Sequence, residues 1–138
     1  MSRIILLVLV CLLTPGCLPK NAFAPPPYNY ERWVKPGADK ITTWKDMLDC
    51  NYAEPFLGGR RIEGGDRTFE QVAGSMICME QLGYAYRTGS RTKEVCRQSG
   101  WKATEACISG KDIPTPDSQR RLSGGYCKKY PESRACIP

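Results

Sequence analysis

The 138-residue chain contains no histidine. Ser-His and Cys-His pairs, the usual means of activating a nucleophile, are therefore absent, as are mixed Cys/His zinc sites. None of the eight cysteines forms a C-x-x-C or other close knuckle. That removes the thioredoxin-like redox motif and the ordinary four-cysteine zinc site. No calcium loop or dinucleotide fingerprint occurs. The stretch GGRRIEGG (58–65) has glycines but neither the strand–helix frame nor the Lys-Ser/Thr pair of a phosphate loop. Carboxylate pairs remain, Asp46 with Asp49 and Glu63 with Asp66. On a helix face and in a glycine-rich loop they read as solvated or capping groups rather than as the acid–base pair of a hydrolase. A non-enzymatic protein without cofactor or metal is expected.

Long apolar runs are also missing. A bilayer span needs roughly 20 apolar residues, whereas the longest run here, Ile4 to Leu13, has ten. Behind Arg3 it has the form of an export signal and is set aside in reasoning about the fold. Two cleavage schemes compete. Ala22-Phe23-Ala24 has the small-x-small form of an ordinary signal-peptidase site, but it lies well beyond the apolar run and Pro25 follows it. Leu13-Thr14-Pro15-Gly16-Cys17 resembles the lipobox of bacterial lipoproteins. The resemblance covers this segment alone. It implies removal of residues 1–16 and a diacylglyceryl thioether on Cys17, with an acyl chain such as palmitate on its amino group. Two or more chains suffice for stable membrane attachment. Leu18, rather than an aspartate, follows the cysteine, which by the same resemblance implies sorting to the outer membrane of the bacterial envelope.

Pro19, Pro25, Pro26, Pro27 and Pro36 fix φ and remove donors. Residues 17–38 therefore read as a lipidated, extended tether, followed by one domain over 39–138. Tyr28, Tyr30 and Trp33 inside the tether either dock a partner or fold back onto their own domain, the second being the commoner outcome.

With Cys11 lost in the leader and Cys17 lipidated, Cys50, Cys78, Cys96, Cys107, Cys127 and Cys136 remain. Six cysteines in a short exported chain predict three disulfides. VCRQSGWKATEACIS (95–109) and YCKKYPESRACIP (126–138) are a weak internal repeat. Local closure in each copy pairs Cys96 with Cys107 and Cys127 with Cys136, and leaves Cys50 for Cys78. The chain-entropy model gives roughly 3 to 4 kcal/mol per bridge, help that so small a core needs.

Two helices are predicted. In the first, over 39–52, Ile41, Trp44, Leu48 and Tyr52 form one stripe with Met47 at its edge, and Asp39 or Thr42 is the cap. The second opens on the capping box Thr68 to Gln71, presents Phe69, Val72, Met76 and Met79, and stops at Gly83. Helix-wheel arithmetic puts Cys50 and Cys78 away from both stripes, so their bridge should join the helices edge to edge. FLGGRRIEGGD reads as a mobile loop or short hairpin, Tyr84 to Tyr86 as a short strand, and Lys93–Cys96 and Lys102–Cys107 as about one helical turn each. GKDIPTPDSQRRLSGG (110–125) reads as turn and loop. The fold class is small, disulfide-rich and mainly α, with irregular loops and little or no sheet.

Charge is uneven. Residues 18–83 carry eight basic and nine acidic side chains, and residues 84–138 carry eleven and five. Arg97, Lys102, Arg120, Arg121, Lys128 and Lys129 are the candidate contacts for acidic lipid heads, anionic glycans or an acidic protein. A merely solubilising surface explains the same charges equally well. Two functional readings follow: an envelope-anchored lipoprotein that binds a partner protein in an assembly, adhesion, exclusion or inhibitor role, or a binder of anionic envelope polymer or lipid through the tail. Nucleic acid is not expected as a partner.

Overall fold

The computed structural model describes residues 28–56, 61–62, 65–86, 96–97 and 101–138. The leader, Cys17, the tether up to Pro27, Glu63 and the helical turn expected at 93–95 lie outside these residues.

Helix α1 (Lys40–Asp49) starts where cap chemistry puts it. The Asp39 carboxylate accepts the Thr42 N–H at 2.7 Å, which satisfies one of the unpaired donors of the first turn. Helix α2 (Phe69–Gln81) opens on the reciprocal Thr68–Gln71 capping box. Both helices end alike. Asn51 at φ 67° and Gly83 at φ +87° reverse the chain, and the N–H groups of Tyr52 and Tyr84 donate back to the Met47 and Met79 carbonyls. These are Schellman stops. The glycine is visible in the sequence, but the asparagine is not.

The α1 surface is divided between two neighbours. Met47 and Cys50 pack with Cys78, Met79, Trp33 and Tyr84, whereas Leu48 packs with Tyr126, Cys127, Ala135 and Cys136, joined by the partly buried Trp44. The single stripe expected on α1 is therefore corrected. Met47 is fully buried and Ile41 only partly so, because a helix clasped on two sides needs a wider apolar arc than one stripe. On α2 the buried face runs through Val72, Ser75, Cys78 and Met79, with Phe69 exposed and Met76 at the margin. The Cys50–Cys78 bridge (Cα–Cα 5.6 Å) lies inside the core, not at the helix edges. Small and polar Thr43 and Ser75 line the buried faces and hide them from a hydrophobicity count.

Two minimal sheets complete this half. Strand β1 (Trp33–Val34) and a later strand, Ala85–Tyr86, pair antiparallel with Trp33 opposite Tyr86. Between them β2 (Arg61–Ile62) and β3 (Gly65–Asp66) form a two-stranded hairpin, which makes Ala85–Tyr86 β4. From Tyr28 on, the arm is not a free extended tether. Asn29–Arg32 is a 3-10 turn, its first two N–H groups donate to the Phe56 and Pro55 carbonyls, and Trp33 enters the core.

The two repeat copies close locally, Cys96–Cys107 and Cys127–Cys136, with Cα–Cα distances of 5.4 and 5.3 Å. The first copy carries α3 (Glu105–Ile108) and packs on α2. The second carries α5 (Gly125–Lys129) and a terminal 3-10 turn that packs on α1. Before it, α4 (Ser118–Ser123) occupies a stretch expected to be loop. The Asp117 carboxylate caps it through the Gln119 N–H at 2.8 Å, and the good helix formers Gln119 to Leu122 outweigh the flanking prolines and glycines.

Gly74 shows how tightly α2 is held. A Cβ there would stand 2.6 Å from the Asp112 carbonyl oxygen and 3.2 Å from Pro114. Gly74→Ala should therefore lower stability by about 1–3 kcal/mol, the range for overpacking, despite the better helix propensity of alanine. A denaturant midpoint measures this, and an unchanged or higher midpoint would contradict the contact.

Candidate binding surfaces

The six basic candidates do not form one face. Arg121 is 7 % exposed. Its Nε lies 2.8 Å from Asp49 Oδ1 and its Nη1 donates to the Ala135 and Ile137 carbonyls. Arg120 donates to the Asp49 carbonyl at 2.7 Å and to Thr115 at 2.9 Å. The reason is the C-terminus of α1, whose last carbonyls lack intrahelical partners and carry the negative end of the helix dipole. Asp49 is the last residue of that helix, and the Asp117 N–H reaches the same carbonyl at 3.3 Å. Both arginines are thus engaged by the fold itself.

Arg97, Lys102, Lys128 and Lys129 are exposed, but they belong to two modules carried by different helices. Glu70 of α2 holds the first one, its carboxylate accepting the Glu105 and Ala106 N–H groups at 2.8 and 2.6 Å. The sequence offers no sign of this clip, because it joins residues 35 and 36 apart. Phe69 of α2 packs edge-on against Trp101 of this module at 5.0 Å, and Ile108, the last residue of α3, is 65 % exposed.

A row of rings links the arm to the C-terminal module. Tyr28 meets Phe56 at 5.9 Å, Phe56 meets Trp44 at 4.8 Å and Tyr126 at 6.2 Å, and Tyr126 meets Tyr130 at 5.2 Å. Tyr30 closes against Trp44 at 5.3 Å. Lys40 Nζ sits 5.0 Å from the Tyr30 ring and 4.7 Å from Trp44, and Lys129 Nζ is 5.5 Å from Tyr130. Such contacts contribute about 0.5–1 kcal/mol at exposed sites. Tyr28 and Tyr130, at the two ends, are 55 % and 40 % exposed. Beside Tyr30 and Trp33 an open cleft of about 450 Å³ collects Lys35, Lys40, Glu31 and Asp39. The Thr42 N–H holds the Asp39 carboxyl below its ordinary range.

The carboxylates Asp46 and Asp49 face different partners, since Asp46 accepts the Tyr84 hydroxyl at 2.8 Å and Asp49 binds Arg121. Burial pushes the Tyr84 and Tyr52 phenols well above the usual phenol range. Tyr52 lies under Arg67, a buried guanidinium that donates to Gln71 and Ser75 and whose own pKa burial lowers. A folded-state pKa raised above its unfolded value gives stability that is complete below the unfolded pKa and is lost as pH rises. The protein should therefore lose stability above pH roughly 10, the phenol value of the unfolded chain. In an absorbance titration two phenols should lag until unfolding, and Tyr84→Phe should move the alkaline midpoint upward. Simultaneous titration of all seven tyrosines in a folded protein would contradict this.

Among the described residues no three His, Cys, Asp or Glu side chains converge as a metal site, and no helix is long and apolar enough to cross a membrane. Compared with models of known families, with curated proteins and with solved structures, the chain matches none.

Proposed function

We propose that the chain is an exported, non-enzymatic lipoprotein of the bacterial envelope, anchored at Cys17, that binds a partner protein. The observation that carries the reading is the cysteine account. All six cysteines downstream of Cys17 pair among themselves, so none of them is left to bridge Cys17, which lipidation of that cysteine requires. Three disulfides in a chain of this size also fit an oxidising compartment.

A partner protein is favoured over a soluble anionic polymer because the tail cations are divided. Arg120 and Arg121 serve the fold, and the four exposed candidates sit on two modules, which breaks the continuous basic track a polymer needs. The Cys96–Cys107 module offers instead the exposed Ile108 and Trp101, whose ring meets Phe69 of α2, with Arg97 in the same module. Exposed apolar, aromatic and arginine side chains are those enriched at protein interfaces.

Mass spectrometry of the chain from its native membrane should find acylated Cys17 at the N-terminus, and Cys17→Ser should release it from the membrane. A mature start at Pro25 without lipid would overturn the anchor. Ile108→Glu should weaken partner capture by about tenfold or more, as expected for a central apolar contact, with little relief from high salt. A capture abolished by salt and indifferent to Ile108→Glu would favour polymer binding.

A further inference from the structure

We infer that the C-terminal module has a membrane-facing surface, in which Tyr28 and Tyr130 at the ends of the aromatic row, with the exposed Lys128, Lys129 and Arg134 of that module, take up anionic lipid headgroups next to the anchor. The inference rests on the proposed lipidation of Cys17.

Reach comes first. Tyr28 stands eleven residues after Cys17, and a chain gains at most roughly 3.6 Å per residue, so the tether spans about 40 Å at most. The domain is attached to that tether at the aromatic row itself. The tether therefore joins the domain on this surface and keeps it within that distance of the bilayer, at an effective concentration that lets weak contacts count.

The chemistry of the surface fits that position. Tyr28 and Tyr130 are among the most exposed large rings described, and tyrosine favours the membrane–water boundary, where its ring is apolar and its hydroxyl stays wet. Lys129 lies over the Tyr130 ring. The Tyr126 hydroxyl bonds Ser133 at 3.3 Å, which brings the neighbouring Arg134 to the same module. Residues 124–138 carry three basic side chains against the single acidic Glu132, and all three cations are exposed. The nearby carboxylates belong to the arm side, Glu31 bonded to the Tyr28 N–H and Asp39 within the field of Arg134, so the cations gather at the Tyr130 end. Each basic side chain close to an anionic leaflet raises occupancy about fivefold, but only within a Debye length of about 8 Å. A membrane seated here leaves the Cys96–Cys107 module, carried by the other helix, to the partner protein.

The test uses the full lipidated chain in vesicles of phosphatidylcholine with or without phosphatidylglycerol. A benzoylphenylalanine replaces either Tyr130 or Ile108, both exposed, and lipid adducts are quantified after illumination. Adducts should be about tenfold more abundant from position 130, should need phosphatidylglycerol, and should fall to the position-108 level in Lys128→Glu/Lys129→Glu/Arg134→Glu, because three losses of about fivefold each exceed that margin. Equal yields from the two positions, or indifference to the anionic lipid and to the triple change, would overturn the surface while leaving the anchor intact. A second arm separates the two claims. The unlipidated Cys17→Ser chain should float with phosphatidylglycerol vesicles at low salt, and the triple change or high salt should abolish this. If the purified native chain proves unacylated yet Cys17→Ser floats in this way, the anchor falls and the lipid-binding surface stands. If Cys17→Ser fails to float and the acylated chain shows no preference at position 130, the surface falls.

Discussion

Cys50→Ala with Cys78→Ala should destabilise the protein more than removal of either other bridge. Cys50 and Cys78 are 28 residues apart, against 11 and 9 for the two local pairs. The chain-entropy model assigns about 3.5 kcal/mol to the long closure and about 2.7 kcal/mol to each short one. Burial widens the gap to the partly exposed Cys96–Cys107 pair. Both sulfurs of the long bridge are completely enclosed among Trp33, Met47, Met79 and Tyr84, so truncation also leaves a cavity, adding about 1 kcal/mol or more. The total, about 5 kcal/mol, reaches the lower end of the stability of a small domain, and the variant should be largely unfolded at 37 °C. Cys96→Ala with Cys107→Ala removes a partly exposed bridge and should leave a cooperative transition at a lower midpoint. Thermal melts of the three double variants, followed by circular dichroism, decide the ranking. A Cys96/Cys107 variant less stable than the Cys50/Cys78 variant would show that the core does not depend on its bridge.

Features determined by neighbours in the chain are legible in the residues themselves. Asp39, the Thr68–Gln71 box and Gly83 act on backbone groups within a few residues of themselves, so residue type at a fixed offset is enough to place them. The local closures Cys96–Cys107 and Cys127–Cys136 are legible for the same reason, through the repeat. Features that depend on distant neighbours are not. Met47 belongs to the core only because α1 has a second helix on one side and the C-terminal module on the other. Periodicity assumes a single apolar direction and therefore favours Trp44 and Leu48. Glu70 reads as first-turn charge on α2, yet its carboxylate caps α3. Asn51 takes up the left-handed conformation that asparagine tolerates, and nothing nearby distinguishes it from a surface polar residue. Among the binding candidates, Lys128 and Lys129 are exposed as surface charges should be. Arg120 and Arg121 are not free, because the groups that hold them lie up to 72 residues away.

That reassignment gives the second large effect. Arg121→Ala should cost about 3–5 kcal/mol, the range for breaking a buried ion pair from one side. From its place on α4, Arg121 reaches three groups at once: the Asp49 carboxylate at the end of α1, and the carbonyls of Ala135 and Ile137 around the Cys127–Cys136 bridge. Its loss leaves a largely buried carboxylate at the negative end of α1, where desolvation is costly and the dipole opposes the charge. It also takes a donor from the Ala135 and Ile137 carbonyls. Asp49→Asn, which removes the charge and keeps an acceptor, should cost less. Combined with Arg121→Ala it should recover part of the deficit, so a double-mutant cycle should give a coupling of about 1–3 kcal/mol. Lys128→Gln with Lys129→Gln should stay within about 0.5 kcal/mol, as exposed substitutions do. The contrast separates structural from superficial charge within one module. If Arg121→Ala unfolds at the same urea concentration as the two-lysine variant, the guanidinium does not join α1 to the C-terminal module, and Arg121 returns to the set of residues available for binding.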